Sequence, residues 1–396
     1  MTDHRELRPG DIPEIVAHVR EAGFPQRSEA GWRWALFDNP EQDGLPAGHG
    51  AFKDGRLVSM LGLQTRRFHF GGSTIVAASG HTFISSEPSR GAGLILARKV
   101  LADERYAAIY TLNNNARSSR FYERLGLSPW LGPHARKWME WPVHSVTRAA
   151  GLALSRLARH DGLYKQLSGR EWFQSGPRAL GRMPGMSGPV VRLTPSRAED
   201  AKLIDAFDRA VHSAHSIAPV RTADVYAYQM NDPDAPGRTA LFGLMREDRL
   251  EGLMQVVMSK PNAFEPTELQ IIDLKHLPGC DGALIIPPLV QAARQLARRH
   301  RLSRVRLPLS DRFEPVCFEG TGLRYERAAK HDAAHAIFAK GVEQLERRWV
   351  PTGFEGDFFF ALRILPERRR HRVRSPSQEV AQAGSAFVER RRPIQF

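Results

Sequence analysis

The sequence predicts an α/β (α+β) protein made of two similar units in tandem, each a central sheet flanked by helices. Three observations predict this fold. Residues 79–127 follow the order strand, glycine-rich loop, helix, strand, helix. Asp54-Gly55 separates two apolar runs, which is a strong β-hairpin signal. Residues 190–323 repeat this organisation roughly 190–196 positions later, which indicates a duplicated domain and not a solenoid of short repeats.

Length and composition allow two hydrophobic cores. The chain has 396 residues, of which 42% are hydrophobic, and domains usually hold about 100–200 residues each. We expect four segments: a first domain at 1–141, a basic helical connector and linker at 142–189, a second domain at 190–363 and a basic tail at 364–396. The tail is rich in Arg, Ser, Gln and Ala, so we expect it to be disordered.

Composition also excludes several classes of protein. Cys280 and Cys317 are the only cysteines, which excludes a disulfide framework or a cysteine-based zinc site. We expect no metal. No apolar run reaches the roughly eighteen residues of a membrane-spanning helix, and the N-terminus lacks the apolar core of a signal peptide. We therefore expect a cytoplasmic protein.

The net charge of +14 lies mostly outside the two predicted domains. Residues 143–189 and residues 364–396 each carry a net charge of about +5. Basic linkers and tails bind polyanions or anionic lipid surfaces in some proteins and are solvated in many others. We expect no specific nucleic-acid binding, and a weak contact with an anionic membrane surface through the connector or tail stays open.

The first candidate site is a glycine-rich loop after a strand. A strand-like run over residues 79–87 ends before Pro88, and an apolar helical pattern continues to Leu101. Between them stands the loop Arg90-Gly91-Ala92-Gly93. Small residues allow close approach of the backbone, and the unpaired amides at a helix start point at a bound anion. This stretch therefore predicts a phosphate site.

A second motif follows the next strand, residues 108–112. Asn115, Ser118, Tyr122 and Gly126 stand in a spacing that resembles the closing motif of the GNAT N-acetyltransferase family. The order of the two motifs, with a helix and a strand between them, is also that of the family. The resemblance covers roughly the first 140 residues and suggests a tandem GNAT protein with a degenerate second copy.

The resemblance implies a fold, a cosubstrate and a set of contacts. The two strands that flank the glycine-rich helix would pair in parallel, so that each unit is a twisted mixed sheet. Acetyl-CoA, or another acyl-CoA, would bind with its pyrophosphate on the loop Arg90-Gly91-Ala92-Gly93. Asn115 and Ser118 would lie along the pantetheine arm, and the backbone amides of Ile84, Ser85 and Ser86 would hold the thioester carbonyl. Tyr122 would protonate the departing thiolate; the alternative is a core tyrosine.

The general base is less determined. His81, Phe83, Ser85 and Glu87 share one face of the predicted strand by its two-residue period. His81 has a suitable ordinary pKa, and Glu87 could act through water. The alternatives are a structural histidine and a turn glutamate. In a further alternative, the amine binds uncharged and needs no base.

Trp32 and Trp34 are the candidate acceptor-binding residues. They are two positions apart, so they do not share a face of the predicted helix. The resemblance to one branch of the family suggests that they line the acceptor pocket. The alternative is a pair of core aromatics.

The second copy lacks the residues that carry the chemistry. Alignment of Gly322 with Gly126 puts Phe318 at the position of Tyr122, Asp311 at that of Asn115 and Glu314 at that of Ser118. We therefore expect a degenerate domain that shapes the acceptor site or the fold. Glu355 and Asp357, near its end, are either ligands of a polar acceptor or turn residues.

The sequence thus predicts an enzyme that moves an acetyl or other acyl group from acyl-CoA to an amine, such as an amino sugar or a surface-polysaccharide precursor. Two alternatives stay open. One is a non-catalytic tandem scaffold, favoured by the bulky Ile95 where the family has a small residue. The other is aminoacyl transfer of the FemABX type. The oligomeric state is left open.

Overall fold

Two mixed sheets flanked by helices form the protein, which confirms the predicted fold class. This computed structural model describes residues 2–24, 26–86, 89–114, 116–132, 138–158, 163, 172–173, 179–180, 188–215, 217–261, 264–308, 315–326 and 333–356.

The first sheet holds the N-terminal strands together with one strand from the far end of the chain. Its order is β1-β2-β3-β4-β5-β15-β6, and β9 pairs with the end of β3. The strands are β1 (Thr2–Glu6), β2 (Gly48–Lys53), β3 (Arg56–Phe70), β4 (Ser73–Ser85), β5 (Ala108–Thr111), β6 (Ser128–Pro129), β9 (Ile217–Pro219) and β15 (His335–Phe338).

The second sheet has the matching order β8-β10-β11-β12-β13-β7-β14. Its strands are β7 (Trp138–Pro142), β8 (Val190–Leu193), β10 (Thr239–Arg246), β11 (Arg249–Ser259), β12 (Glu268–His276), β13 (Arg304–Pro308) and β14 (Arg324–Glu326). The two sheets therefore have the same order of strands, as a duplicated unit predicts.

The two halves of the chain exchange one strand each. β7, at the end of the predicted first domain, lies between β13 and β14 in the second sheet. In return, β15 lies between β5 and β6 in the first sheet. Each sheet thus contains residues from both halves, an arrangement for which the sequence carries no signal, since pairing partners are not written in a strand's own pattern.

Helices cover the two sheets. They are α1 (Ile12–Glu21), α2 (Glu29–Phe37), α3 (Arg90–Leu101), α4 (Ala116–Arg124), α5 (Ser145–Leu157), α6 (Ala198–Ala214), α7 (Ala223–Met230), α8 (Gly282–Arg299) and α9 (Glu343–Arg348). The apolar face of α8 packs on the second sheet in the largest core cluster. A second cluster joins α1 and α2 to the first sheet, as amphipathic helices on a half-buried sheet require.

The predicted hairpin forms at Asp54-Gly55. Both residues have positive φ, 52° and 78°, as the tight turn between two antiparallel strands requires. The turn fixes the register of β2 on β3, and β4 then continues the antiparallel sheet.

β4 and β5 pair in parallel and then separate. Their last paired residues are Ser79 and Tyr110. Beyond this pair, β4 continues through Gly80 and His81 to Ser85, while the chain after β5 turns towards α4. The separation leaves a wedge-shaped gap in the first sheet.

The matching gap in the second sheet is filled by the protein itself. β12 and β13 pair only as far as Gln270 and Arg306. Beyond them, a Cβ on Gly353 would lie 3.2 Å from the carbonyl oxygen of Ile272 and 3.3 Å from the ring of Pro308. The segment 351–356, called here the filling segment, therefore packs against both strands where they diverge.

Candidate functional site

A cleft opens where β4 and β5 diverge in the first sheet. Its volume is about 160 Å³. It is lined by Phe24, Gly80, His81, Thr82, Phe83, Asn113, Asn114, Ser118, Phe121 and Tyr122. The structure therefore brings together three sequence-predicted residues, His81, Ser118 and Tyr122, in one cleft between a strand and a helix.

The glycine-rich stretch begins α3 instead of forming a loop before it. The helix starts at Arg90, the first residue of the predicted loop, and Gly91, Ala92 and Gly93 lie in its first turn. The amides of a first turn have no partner within the helix, so the predicted anion-binding amides are retained. The side chain of Arg90 lies outside the described residues.

Gly93 is required for close packing of this helix start on β4. A Cβ at Gly93 would lie 2.4 Å from Oγ of Ser85 and 3.1 Å from the ring of Phe83. Ser85 in turn shares a hydrogen bond of 2.7 Å with the hydroxyl of Ser59 on β3. Ile95, whose bulk threatened this approach, is 51% exposed on the outer surface of α3.

A β-bulge breaks the predicted face of His81, Phe83 and Ser85. The register of β4 on β3 shifts between the pairs Met60–Ile84 and Gly62–His81. Thr82 lies in the bulge with a φ of 49°. A bulge adds one residue to a strand, so the two-residue period does not continue through it. The prediction of a single shared face was therefore wrong.

His81 is buried beneath the cleft. Its Nδ1 lies 3.0 Å from the hydroxyl of Thr82, and its ring occupies the space that a Cβ on Gly62 would take. Burial, with smaller contributions from the guanidinium groups of Arg27 and Arg66, lowers the pKa of His81 to about 3. The imidazole is therefore uncharged at neutral pH and is a weak base.

The predicted carbonyl-binding amides are only partly available. The amide of Ser86 donates to the carbonyl of Val58 at 2.9 Å. Amides of a strand alternate in direction, so that of Ile84 also points to β3, and that of Ser85 points away from it. Ser85 is the one member of the trio whose amide can face the gap.

Tyr122 and Ser118 lie on α4 at the cleft wall. The ring of Phe121 stacks on Phe83 with centroids 5.4 Å apart, which joins α4 to β4 across the cleft. A second, apolar cavity of about 30 Å³ lies beneath and shares Gly80 and Tyr122 with the cleft. Tyr122 therefore stands between a polar cleft and a small apolar space.

The structure adds a residue that no sequence pattern indicated. His335, on the exchanged strand β15, is fully buried behind α4. Its ring centroid lies 6.3 Å from that of Tyr122, and its Nδ1 lies 3.1 Å from Nδ2 of the cleft residue Asn114. The C-terminal half thus contributes a side chain that packs behind the wall of the first cleft.

Trp32 and Trp34 are both buried in the core between α2 and the first sheet. Trp34 stacks on Tyr228 with centroids 5.0 Å apart and donates from Nε1 to its carbonyl at 2.8 Å. Neither tryptophan is among the residues that line the cleft. Their role in acceptor binding stays a prediction.

Some predicted residues cannot be placed. Glu87 and Asn115 lie outside the described residues, as do Asp311, Glu314 and Asp357. Phe318, at the position of Tyr122 in the second half, is buried in a short 3-10 helix, Pro315–Phe318, and packs against Trp141. Glu355 is buried, forms an ion pair with Arg221, and is therefore not an exposed acceptor ligand.

Neither a metal-binding cluster nor a membrane-spanning helix occurs in the part of the chain that the structure describes. No group of three or more His, Cys, Asp or Glu side chains there could hold a metal ion. No described helix has the length and apolar character needed to cross a bilayer.

Comparisons with known proteins support this geometry. Residues 3–129 match the family model for the acetyltransferase (GNAT) domain. Sequence comparison with curated proteins found no match.

Three solved structures resemble most of the chain. A probable N-acyltransferase of unknown function from Enterococcus faecalis V583 has a TM-score of 0.52 at 12% identity, over 85% of this chain and 73% of that chain. N-myristoyltransferase of Saccharomyces cerevisiae with bound myristoyl-CoA has a TM-score of 0.53 at 9% identity, over 85% of this chain and 78% of that chain. A GCN5-related N-acetyltransferase from Anabaena variabilis ATCC 29413 has a TM-score of 0.50 at 10% identity, over 85% and 73%.

At these identities the similarity shows a shared fold. The family model, the parallel pair β4–β5 and the helix start at Arg90 together confirm the resemblance predicted from the motifs. Over residues 3–129 this chain therefore resembles the GNAT acetyltransferase domain in both sequence and fold.

Proposed function

We propose that this protein is an acyltransferase that moves an acetyl or other acyl group from acyl-CoA to an amine, in the cleft between β4 and β5. The observation that carries the proposal is the gap itself. Two parallel strands separate after Ser79 and Tyr110, and the space between them is open and lined by polar and aromatic side chains.

The residues around the gap fit an acyl-CoA. The first-turn amides of α3, at Gly91 and Ala92, would hold the pyrophosphate, because a helix start carries partial positive charge. Asn114 and Ser118 would hydrogen-bond the pantetheine amides along the cleft. The same role is proposed for Asn115, which follows Asn114 in the sequence.

The chemistry needs a carbonyl-binding donor and an acid. The bound thioester supplies an activated acyl carbon: the amine nitrogen forms a bond to it, the carbon–sulfur bond breaks, and coenzyme A leaves as the thiolate. The amide of Ser85 would stabilise the negative charge on the carbonyl oxygen. Tyr122, between the two cavities, would give its phenolic proton to the sulfur.

The low pKa of His81 argues against its predicted role as the general base. A histidine with a pKa of about 3 is poorly matched to removing a proton from an ammonium group near neutral pH. We therefore propose that His81 accepts a hydrogen bond from an amine that binds uncharged. Glu87, two residues beyond Ser85, stays the candidate for a base that acts through water.

We also propose that the C-terminal half is a degenerate second copy with no cosubstrate site. The matching order of strands supports duplication. The two residues after the last parallel pair are Gly80 and His81 in the first sheet, and the buried Ile271 and Ile272 in the second. The filling segment occupies the corresponding gap.

An acceptor screen tests the proposed function. The full chain is incubated with acetyl-CoA and one of glucosamine, tyramine, spermidine or an unblocked tripeptide, and free thiol is measured with a chromogenic reagent. We expect amine-dependent thiol release with at least one acceptor class, and an amino sugar is the first to test. Absence of both thiol release and acetyl-CoA binding would contradict the proposal.

A further inference from the structure

The exchanged strand β15 brings one polar side chain into contact with a residue that lines the first cleft. His335 pairs with Thr111 across the β15–β5 ladder and is fully buried. Near His335, two hydrogen bonds of Asn114 fix the chain after β5. Its backbone amide donates to the carbonyl of Ala333 at 2.8 Å, and its side-chain Nδ2 donates to the hydroxyl of Thr111 at 2.6 Å.

His335 contacts two of the elements that border the cleft, the chain after β5 and helix α4. Nδ1 lies 3.1 Å from Nδ2 of Asn114, which lines the cleft after β5. Nε2 lies 3.4 Å from the carboxylate of Glu123, the neighbour of Tyr122 on α4. An amide nitrogen only donates, so Nδ1 accepts in this contact and Nε2 carries the proton towards Glu123. One imidazole thus contacts two of the three elements that carry the cleft's polar residues, the chain after β5 and α4.

The second sheet shows that the fold itself does not need a histidine here. At the matching crossing of the exchanged strand β7 with β13, Met139 stands opposite Leu307. Met139 and Leu307 are buried, as His335 and Thr111 are. The polar pair therefore occurs in the sheet with the open cleft, and an apolar pair occurs in the sheet whose gap is filled.

We propose that His335 is a positioning residue for acyl transfer, which holds Asn114 and the Tyr122 turn of α4 in the geometry that the transfer needs. The inference rests on the proposed function. It explains why the second half is retained after losing its own site: that half supplies the strand that carries His335. Misplacement of a reacting group by about 1 Å can cost about a hundredfold in rate.

Three variants test the proposal. His335→Met introduces the residue that the matching strand already carries, so the strand should still pack. His335→Asn retains an acceptor near the place of Nδ1. Met139→Ala perturbs the matching position in the other sheet. For each variant, the unfolding temperature, the Kd for acetyl-CoA by calorimetry, and kcat with the best amine of the acceptor panel are measured.

We expect His335→Met to lower kcat about tenfold or more with a change in Kd below about threefold, because alignment and not binding is lost. His335→Asn should restore kcat to within about threefold of the parent chain. Met139→Ala should lower the unfolding temperature and leave kcat unchanged.

The inference is overturned if His335→Met retains the parent kcat, if His335→Asn is as slow as His335→Met, or if Met139→Ala slows transfer equally. In each of these outcomes the parent chain is active and the proposed function stands. A parent chain that neither binds acetyl-CoA nor releases thiol overturns the proposed function, and this inference with it.

Discussion

The hydroxyl of Tyr110 donates a hydrogen bond of 2.6 Å to the backbone carbonyl of Glu355. Tyr110 lies in β5 of the first sheet, and Glu355 belongs to the filling segment that packs in the gap of the second. The neighbouring residue Phe354 contacts two arginines. The guanidinium groups of Arg221 and Arg66 lie 3.7 Å and 5.4 Å from its ring centroid. The filling segment therefore ties the two sheets together.

Removal of the Tyr110 hydroxyl should lower the free energy of unfolding. Tyr110→Phe leaves the buried carbonyl of Glu355 without this donor, and the expected loss is about 1–3 kcal/mol in the free energy of unfolding. Urea unfolding of the parent and the variant measures it, with an unchanged dependence on urea concentration. Equal midpoints for the two proteins would show that the contact contributes nothing to stability.

The exchange of β7 and β15 predicts that the halves do not fold separately. Residues 1–158 alone would leave β5 without its neighbour β15 and β7 without β13. We expect this fragment to be unfolded by circular dichroism, and to become ordered when co-expressed with residues 159–396, because the missing strands are then supplied. A folded, soluble fragment 1–158 on its own would contradict the observed strand exchange.

Tyr122→Phe separates proton transfer from binding. The variant retains the ring that lines the cleft and loses the phenolic proton proposed to reach the sulfur. We expect kcat to fall about a hundredfold or more, with acetyl-CoA affinity changed by less than about threefold. Steady-state kinetics and calorimetry measure the two quantities, and parallel losses in both would refute the role of general acid.

The lowered pKa of His81 predicts that the stability of the protein depends on pH. Its pKa is lowered to about 3 in the folded chain, whereas an unfolded histidine titrates near about 6.5. Between these values the unfolded chain binds a proton that the folded chain does not, so the contribution to stability is present above about pH 6.5 and is lost as the pH falls. The loss from pH 7 to pH 5 should be about 2 kcal/mol.

His81→Gln is the control for this effect, because glutamine does not titrate. The free energy of unfolding is measured by urea titration at pH 7 and at pH 5. From pH 7 to pH 5 it should fall by about 2 kcal/mol more in the parent than in the variant. The same loss of stability on acidification in both proteins would show that another group is responsible, for example His212, whose pKa burial lowers to about 4. Asp208 is not such a group, because burial raises its pKa to about 6 and its contribution to stability therefore increases as the pH falls.

Local features of this fold could be predicted from the sequence. The Asp54-Gly55 turn forms where its signal stands, and α3 ends at Leu101, where the apolar helical pattern ends. Cleft residues such as Tyr122 and Ser118 were found because a short, spaced motif carries them. Such signals depend on neighbouring residues alone.

Other features depend on contacts distant in the sequence. The bulge at Thr82 is set by the pairing of β4 on β3, and glycine-like backbone angles in a threonine have no sequence signature. The start of α3 is set by the packing of Gly93 on Ser85. His335 stands 213 positions from Tyr122 and reaches it only through the strand exchange. These features required the structure.

The central claim is that one acyl-CoA binds per chain, in the first gap and not in the second. Gly80 lines both cavities of the first gap, and its Cβ would make ordinary contacts of 3.7 Å with Leu61 and Thr111. Gly80→Ala should therefore bind acetyl-CoA as the parent does, whereas the larger side chain of Gly80→Leu should fill the gap.

Titration calorimetry of the full chain with acetyl-CoA measures this directly. We predict a stoichiometry of one for the parent and for Gly80→Ala, and an affinity weakened about a hundredfold or more for Gly80→Leu. Two sites per chain, no binding by the parent, or undiminished binding by a folded Gly80→Leu would contradict the account.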